Sequence, residues 1–308
     1  MITTVTLNPM LDKTVSVPSI RRGAITRADR VGIIVGGKGV NVSRQLRLLG
    51  EETVAAGFLG GEIGTLIERL LDGEGIAHAF VRTNGMTREG VTYLEPDGTM
   101  TSVFEPPGEV SEADVGKLLE DCMALASRSA WVVCSGSSPS PVSDDVFRTL
   151  VAFCKSRGIN VALDSYGRAL ERGVESLPDF LKPNREEFEQ TFGSPVRGEK
   201  EIVAAARTLV SRGARYALVT DGPRPFAAAN AEGAWLVTPP AVEAVNPTGS
   251  GDSMVAGILH GLIRSWPFPD CIAFGAAAGA ANARVWDVAS STAEEIHSLV
   301  PAVKIKKV

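Results

Sequence analysis

The sequence predicts an α/β protein with a mostly parallel main sheet and a smaller sheet built from two excursions of the chain. Two observations lead to this fold class. From about residue 110 onward, helical patterns alternate with short apolar strand patterns, which is typical of βαβ units whose sheet is covered on both faces. The first hundred residues differ, because short strand patterns there are separated by turn residues.

The N-terminal third supplies the strands of the smaller sheet. A strand pattern, MITTVTL, opens the chain, and Asp97-Gly98 between two later strand patterns is a hairpin signal. We therefore expect a small antiparallel sheet beside the main one. Its predicted strands are TVSV at 14–17, RADRVGIIV at 27–35, REGVTYLEP at 88–96 and TMTSVFEP at 99–106. Two helical patterns and one main-sheet strand lie between them: VNVSRQLRLLG at 40–50, EIGTLIERLLDG at 62–73 and TVAAGFL at 53–59.

The remaining chain supplies the alternating units of the main sheet. Helical patterns SEADVGKLLEDCMALA and SDDVFRTLVAFCKSRG alternate with the strand patterns AWVVC, INVALD, DFLKPN and RYALVTDG. Polar residues follow these strands, where open α/β sheets bind their ligands. These residues are Ser135-Gly136, Asp164, Lys182-Pro183-Asn184 and Thr220-Asp221-Gly222.

Length and composition exclude several function classes. The 308 residues suffice for one large α/β domain or two smaller ones. With 44% apolar residues and a formal charge of -5, the chain has no global positive field for nucleic acid or an anionic membrane. No basic start precedes an apolar segment at the N-terminus, and the small-apolar run AFGAAAGAANA is too short to span a bilayer. We therefore expect a cytoplasmic protein.

Cysteine and histidine spacing predicts no metal site. The cysteines lack C-x-x-C spacing and the three histidines are dispersed, so buried structural thiols are the simplest interpretation. The cysteines are Cys122, Cys134, Cys154 and Cys271. A Ser-His-Asp hydrolase is also disfavoured, because no G-x-S-x-G elbow follows a strand.

The stretch GIIVGGKGVNV nearly spells the phosphate loop of a P-loop nucleotide hydrolase. Gly32 is followed after four residues by Gly37 and Lys38, but Gly39 stands where the motif needs a Ser or Thr to ligate Mg2+. The first strand pattern also lies far upstream. We interpret the match as accidental.

The richest motif is EAVNPTGSGDSMVAGILHGLI at 243–263, which predicts a glycine turn leading into an apolar helix. Unpaired N–H groups at a helix start can hold an anion that develops charge during reaction, such as a transferring phosphoryl group. Asp252, in the first turn, is then placed to accept a hydroxyl proton. Alternatively, Asp252 only caps the helix.

Seven segments together resemble the ribokinase/PfkB carbohydrate kinases, and the N-terminal ones resemble the branch of that family that acts on sugar phosphates. In chain order they are TLNPMLD at 6–12, GGKGVNVSRQLRLLG at 36–50, GFLGG at 57–61, TR at 87–88, SGS at 135–137, KPN at 182–184 and GSGDS at 249–253. The resemblance implies a ribokinase-like three-layer α/β/α sandwich with a mostly parallel sheet and a small β-sheet lid. It also implies one kinase domain over residues 1–308, with lid segments at about 10–36 and 87–106.

The resemblance further implies roles for the site residues. Asp252 matches the catalytic base, and Gly249, Ser250 and Gly251 match the amides of the anion hole. The residues matched to the acceptor sugar and its phosphate are Asp12, Gly37, Lys38, Asn41, Arg88, Arg27 and Ser137. Lys38 and Arg88 are expected to meet the phosphate that the acceptor already carries, with Arg27 as a further contact. A lone lysine or arginine is otherwise most often a solvated surface charge.

On the nucleotide side, Asn184 and Glu187 form the family's N-x-x-E, which orients Mg2+ and the phosphates of ATP through water. Taken alone, NREEF reads as a helix start with Asn184 as its N-cap. Thr220 and Gly222, in TDGPRP, match positions near the adenine. The metal expected at Glu187 is therefore Mg2+ held through water, and ATP is the expected phosphate donor.

Three segments depart from the family pattern: SGSSPSP replaces SGSLPxG, TDGPRP replaces SLGxxG, and DSYG replaces D-x-SG. We expect an ATP-dependent kinase that converts tagatose 6-phosphate or fructose 1-phosphate to the bisphosphate. The departures motivate an alternative, a catalytically silent protein that binds sugar phosphate and nucleotide. We also expect a homodimer formed through the lid.

Overall fold

Fourteen strands and ten α-helices make up the computed structural model, which describes all 308 residues. The strands are β1 Ile2–Thr6, β2 Met10–Ser16, β3 Arg30–Gly36, β4 Thr53–Gly60, β5 Ala77–Thr83, β6 Glu89–Leu94, β7 Met100–Phe104, β8 Trp131–Gly136, β9 Asn160–Ser165, β10 Phe180–Leu181, β11 Tyr216–Val219, β12 Phe226–Asn230, β13 Gly233–Thr238 and β14 Lys304–Lys307. The helices are α1 Lys38–Leu48, α2 Gly61–Glu74, α3 Glu112–Ala126, α4 Val146–Ser156, α5 Gly167–Gly173, α6 Arg185–Phe192, α7 Glu199–Ser211, α8 Ser250–Ile263, α9 Phe268–Ala283 and α10 Ala293–Leu299.

The main sheet has ten strands in the order β14-β13-β12-β11-β10-β9-β8-β1-β4-β5. From β11 to β5 every neighbouring pair is parallel, whereas β12, β13 and β14 add three antiparallel strands at one edge. The mostly parallel sheet predicted from the alternating patterns is confirmed. Its interior strands β1 and β8 are buried along their whole length, as a sheet covered on both faces requires.

Helices cover the main sheet in two layers. α1 packs on α8, and α8 packs along α9, while α3 packs on α4 and α4 on α5. A cluster of 54 buried residues fills the space between helices and sheet. Full burial of a side chain such as Phe147 contributes about 1.5 to 3 kcal/mol. The three-layer α/β/α sandwich is confirmed, and all four cysteines are buried, as expected.

The small-apolar run near residue 280 belongs to α9. A Cβ added at Gly257 of α8 would lie 3.0 Å from the Cα of Gly275 in α9, so small residues let these two helix backbones approach closely. None of the helices is both long enough and apolar enough to cross a bilayer.

The lid is a separate four-stranded sheet in the order β3-β2-β6-β7. β2 pairs with β3 and β6 with β7 in antiparallel hairpins, but β2 and β6 are parallel, with Leu11 opposite Glu89. The expectation of an antiparallel lid is therefore wrong in its central pair. The reason is topological: β2 and β6 follow β1 and β5, which point the same way in the main sheet, so both excursions enter the lid in the same direction.

Candidate active site

The glycine turn before α8 is built as the motif predicts. Gly249 adopts φ 79° and ψ 0° as the residue preceding the helix, in the left-handed region that favours glycine. A Cβ at this position would also lie 2.3 Å from Cγ1 of Val288. Both the backbone angle and the close contact therefore require glycine.

Three backbone N–H groups at the start of α8 donate to no acceptor in the chain, those of Gly249, Gly251 and Asp252. The N–H of Ser250 instead donates to the carbonyl of Pro247 at 3.2 Å, which closes the turn. The expected anion hole included the N–H groups of Gly249, Ser250 and Gly251. In the structure the Ser250 N–H is used by the turn, and those of Gly249 and Gly251 remain free. The free N–H groups lie at the positive end of the helix dipole, where an anion is stabilised.

Asn282 of α9 stabilises this turn, although no motif in the sequence marks it. Its Nδ2 donates to the Thr248 carbonyl at 2.7 Å and to Oγ of Ser250 at 3.0 Å, while its Oδ1 accepts from the N–H of Ala289 at 2.6 Å. The side chain is fully buried. The only signal in the sequence is one amide residue in an alanine- and glycine-rich run.

Asp252 is buried, with 6% of its surface exposed, and it accepts a 2.8 Å hydrogen bond from Nδ2 of Asn41 in α1. Burial raises the pKa of Asp252 to about 7, and the neighbouring Asp164 carboxylate adds to the rise. Lys38 and the Asn41 hydrogen bond act in the opposite direction. A carboxyl group with this pKa exchanges a proton near neutral pH, as a general base must.

A cluster of lysines and carboxylates lies beside Asp252. The ammonium of Lys38 contacts Oε1 of Glu187 at 2.9 Å and Oδ1 of Asp164 at 3.2 Å. Nζ of Lys182, which is buried, contacts Oδ2 of the same Asp164 at 3.2 Å. Burial alone favours neutral groups, but these partners raise the pKa of Lys38 and lower that of Asp164, so both stay charged. The sequence predicts Asp164 and Lys182 as strand-end residues and as members of the segments DSYG and KPN, without assigning either of them a role.

Lys38 and Arg88, both expected at the acceptor's phosphate, have different partners. The Arg88 guanidinium donates to the carbonyl of Asn8 at 3.2 Å, and its Nε is buried without a partner. Nδ2 of Asn8 in turn donates to Oγ of Ser137 at 3.4 Å, so Arg88 and Ser137 lie close together. The shared phosphate role of Lys38 and Arg88 stays a prediction, because Lys38 is paired with the carboxylate cluster.

The glycines of GGKG serve packing inside the protein. A Cβ at Gly36 would lie 2.8 Å from Cβ of Asp12, and one at Gly37, whose φ is 128°, would lie 2.8 Å from Cγ2 of Thr6. A Cβ at Gly39 would lie 2.4 Å from Oγ1 of Thr6. These glycines bring β3 close to β2 at Gly36 and the start of α1 close to β1 at Gly37 and Gly39.

Asp12 and Gly32 lie on the paired lid strands β2 and β3. Asp12, on β2, is buried, its Oδ1 has no hydrogen-bond partner, and burial raises its pKa to about 6 against the opposing charges of Arg88 and Arg44. Gly32 lies in the middle of β3, where a Cβ would be 2.8 Å from Nε1 of Trp286. A strand at Gly32 excludes the P-loop interpretation.

The N-x-x-E residues form a reciprocal helix cap at α6. Oδ1 of Asn184 accepts from the N–H of Glu187, and Oε2 of Glu187 accepts from the N–H of Asn184, each at 2.8 Å. Thr220 forms a parallel bridge with Asn184, which brings the TDGPRP turn alongside, and Gly222 in that turn has φ 58°. The predicted N-cap of α6 is therefore present. The other Glu187 oxygen, Oε1, accepts a hydrogen bond from Lys38. Arg27 lies apart, exposed in the β2–β3 connection without a polar partner.

The carboxylates fit a metal that arrives on a nucleotide and not a dedicated metal cage. No group of three or more His, Cys, Asp and Glu side chains is arranged to hold an ion. Asp164 and Glu187 nevertheless offer carboxylate oxygens at one place, and Mg2+ usually keeps several waters beside one or two such ligands. These two residues therefore fit a Mg2+ held by phosphates and water.

Comparisons with known proteins agree with this geometry. The sequence pattern of the pfkB family carbohydrate kinases matches residues 6–294. The chain is 33% identical over 262 residues to the 1-phosphofructokinase of Escherichia coli (strain K12), covering 85% of this chain and 84% of that protein. It is 33% identical over 310 residues to the 1-phosphofructokinase of Bacillus subtilis (strain 168), covering all of both. A solved structure described as a possible 1-phosphofructokinase from Thermotoga maritima superposes with a TM-score of 0.93 at 28% identity, over 100% of this chain and 99% of that one.

Proposed function

The chain belongs to the pfkB family of carbohydrate kinases, and on that premise we propose that it transfers the γ-phosphoryl group of ATP to fructose 1-phosphate, giving fructose 1,6-bisphosphate. The observation that carries the proposal is the buried Asp252 beside unpaired N–H groups at the start of α8. A base and an anion hole at one helix start suit phosphoryl transfer to a hydroxyl. Relatives named 1-phosphofructokinase support the choice of acceptor.

In the proposed reaction, Asp252 accepts the proton of the acceptor hydroxyl as that oxygen bonds to the γ-phosphorus. The bond between this phosphorus and the bridging oxygen breaks, and ADP leaves with the electron pair. The amides of Gly249 and Gly251 donate to the phosphoryl oxygens, where charge builds up in the transition state. Asn41 holds the Asp252 carboxylate in place through its hydrogen bond.

Residues of the lysine and carboxylate cluster contact the phosphates of the nucleotide and the metal ion bound to them. Lys182 offsets the negative charge of the ATP phosphates. A bound Mg2+ would neutralise part of the charge on the phosphates. Glu187 and Asp164 would hold such an ion through its water shell. Asn184 and Thr220, which form a bridge, position the β10 and β11 strand ends for the nucleotide.

The acceptor lies between the lid and the carboxyl ends of the strands. Asp12 of β2 and Asn41 of α1 bind sugar hydroxyls. Arg88, directly before β6, and Lys38 of α1 bind the phosphate that the sugar already carries. Ser137, linked to Arg88 through Asn8, lines the same side. Tagatose 6-phosphate is the competing acceptor, since its phosphate can meet the same groups from the other end of the sugar.

ADP release over a panel of acceptors tests the proposal. We expect release with fructose 1-phosphate to exceed that with tagatose 6-phosphate, and both to exceed that with unphosphorylated fructose. Preference for tagatose 6-phosphate would correct the substrate. No ADP release with any sugar, together with retained sugar-phosphate binding, would instead favour a silent binding protein, which the departures SGSSPSP, TDGPRP and DSYG motivate.

We also propose a homodimer formed through the outer face of the lid. The pairing registers of the four strands place Val15, Val31, Ile33, Val91, Tyr93 and Val103 on one face, opposite to the face of Asp12. Val103 is 61% exposed, and Val31 and Ile33 are also exposed. A second lid would bury this apolar face, since contiguous apolar patches of this kind mark interaction sites.

A further inference from the structure

The segment DSYG places Tyr166 at a position where a small polar residue would stabilise the fold. Tyr166 directly follows β9 and precedes α5, with the extended backbone (φ -146°, ψ 167°) of a residue that caps a helix. Its side chain makes no capping hydrogen bond, whereas a Ser, Thr, Asp or Asn here would accept one from the first turn. The chain therefore has an aromatic side chain where helix stability favours a cap.

The ring of Tyr166 lies at the active site and is not part of the core. The ammonium of Lys38 is 5.3 Å from the ring centroid. Tyr166 is 41% exposed, and its hydroxyl makes no hydrogen bond within the chain. Two residues earlier, Asp164 contacts the same Lys38 ammonium. Tyr166 thus packs over a lysine of the charge cluster and leaves a free donor facing solvent.

Arg88 is the second cation proposed at the acceptor's phosphate. Its guanidinium donates to the carbonyl of Asn8 at 3.2 Å, and its Nε is buried without a hydrogen-bond partner. Lys38, which lies at the Tyr166 ring, and Arg88 therefore have separate polar partners within the chain.

We propose that Tyr166 is a specificity-determining residue of the acceptor site, whose hydroxyl donates a hydrogen bond to the phosphate carried by the sugar while its ring holds Lys38 in place. This inference rests on the proposed function. A phosphate dianion placed between two cations has oxygens left to accept a neutral donor, and hydrogen bonds to charged groups are stronger than neutral ones. An unphosphorylated sugar has no group for this contact.

Two variants separate the hydroxyl from the ring. Tyr166→Phe keeps the ring over Lys38 and removes only the donor. We expect its KM for fructose 1-phosphate to rise about tenfold, with kcat and the KM for ATP within about twofold of the parent. Tyr166→Ser removes the ring and restores a capping side chain, so its Tm is expected to equal or exceed that of the parent while kcat/KM falls further.

Calorimetric binding of fructose 1-phosphate and of fructose to the parent and to Tyr166→Phe completes the test. Weaker binding of the phosphorylated sugar alone supports the proposal. Equal affinities in the two proteins, or equal losses for both sugars, would overturn it. Because this measurement needs no turnover, it decides the role of Tyr166 even where the parent releases no ADP, a result that counts against the proposed function alone.

Discussion

Asn41 donates its Nδ2 hydrogen bond to Oδ2 of Asp252 at 2.8 Å and so joins α1, which follows the lid strand β3, to the start of α8. The orientation of this amide is fixed from its other end, because Oδ1 of Asn41 accepts from Nη1 of Arg44 at 2.8 Å. Nδ2 therefore has to face the carboxylate. Donation to the ionised form favours it, so Asn41 helps Asp252 to act as a base despite its burial.

Asp252→Asn is expected to reduce turnover by about 100-fold or more while keeping sugar affinity, since general base catalysis has this scale. The variant amide still accepts from Asn41, so the site keeps its shape. Single-turnover rates and equilibrium binding of fructose 1-phosphate measure the two effects separately. Asp270→Asn is the matched control, because Asp270 occupies the first turn of α9 and is exposed. Near-normal turnover of Asp252→Asn would leave Asp252 as a helix cap.

The pH dependence of kcat/KM follows from the raised pKa of Asp252. The base works only when ionised, so kcat/KM of the parent is expected to rise with pH, level off above about pH 7 and fall about tenfold per pH unit well below it. Lys38 lowers this pKa, so Lys38→Met should shift the rising limb to higher pH. Rates from pH 5 to 9 check both profiles. An unshifted limb in Lys38→Met would show that another group controls the profile.

The glycine turn and the strand ends could be predicted because their signals are local. The turn residues next to Gly249 predict its left-handed backbone conformation. Asp164 and Asn184 directly follow apolar strand patterns. The periodicity of VNVSRQLRLLG likewise predicts helix α1. These features depend on residues within one or two turns of each other, which is the range that sequence patterns describe.

The partners of each charged side chain could not be predicted in this way. Lys38 lies 126 residues from Asp164 and 149 from Glu187 along the chain, so their contacts depend on how α1 approaches β9 and α6. Asn282 likewise braces a turn more than thirty residues earlier through α9. The parallel pairing of β2 with β6 depends on the direction of β1 and β5, which no pattern within the lid contains.

Glu187→Gln is expected to raise the free Mg2+ concentration needed for half-maximal rate, because a neutral amide orders metal-bound water less well than a carboxylate. The glutamine oxygen can still accept from the Asn184 N–H, so α6 keeps its cap. Glu295→Gln makes the same change in the Thr292–Glu295 capping box of α10, which is exposed, and serves as control. Rates are titrated against free Mg2+ at fixed ATP. Superimposable curves for Glu187→Gln and parent would assign Glu187 to capping only.

Val103→Lys is expected to weaken the proposed lid dimer, because it places a charge on each copy on the edge strand β7 of an apolar face. Lys on an exposed strand also opposes pairing with another chain. Sedimentation velocity over a range of protein concentrations measures the monomer fraction. Leu48→Lys, at an exposed apolar position of α1, is the control and should leave the assembly unchanged. A dimer equally stable in both variants would place the interface elsewhere.

Arg88→Met tests the contact that selects a phosphorylated acceptor. A charge-assisted hydrogen bond between a guanidinium and a phosphate is worth roughly 1.5 to 3 kcal/mol, so kcat/KM for fructose 1-phosphate should fall by about 10- to 150-fold. Free fructose makes no such contact, and its kcat/KM should change little.

Because Lys38 contacts the same phosphate, we expect kcat/KM of the parent for fructose to be at least about 1000-fold lower than for fructose 1-phosphate. Arg82→Met is the matched control, because Arg82 lies near the end of β5, is exposed and pairs with Glu68 at 2.8 Å. Initial rates with both sugars are measured for the three proteins. Equal losses for both sugars in Arg88→Met, or efficient turnover of fructose by the parent, would remove Arg88 from the phosphate site and place the chain among kinases of unphosphorylated sugars.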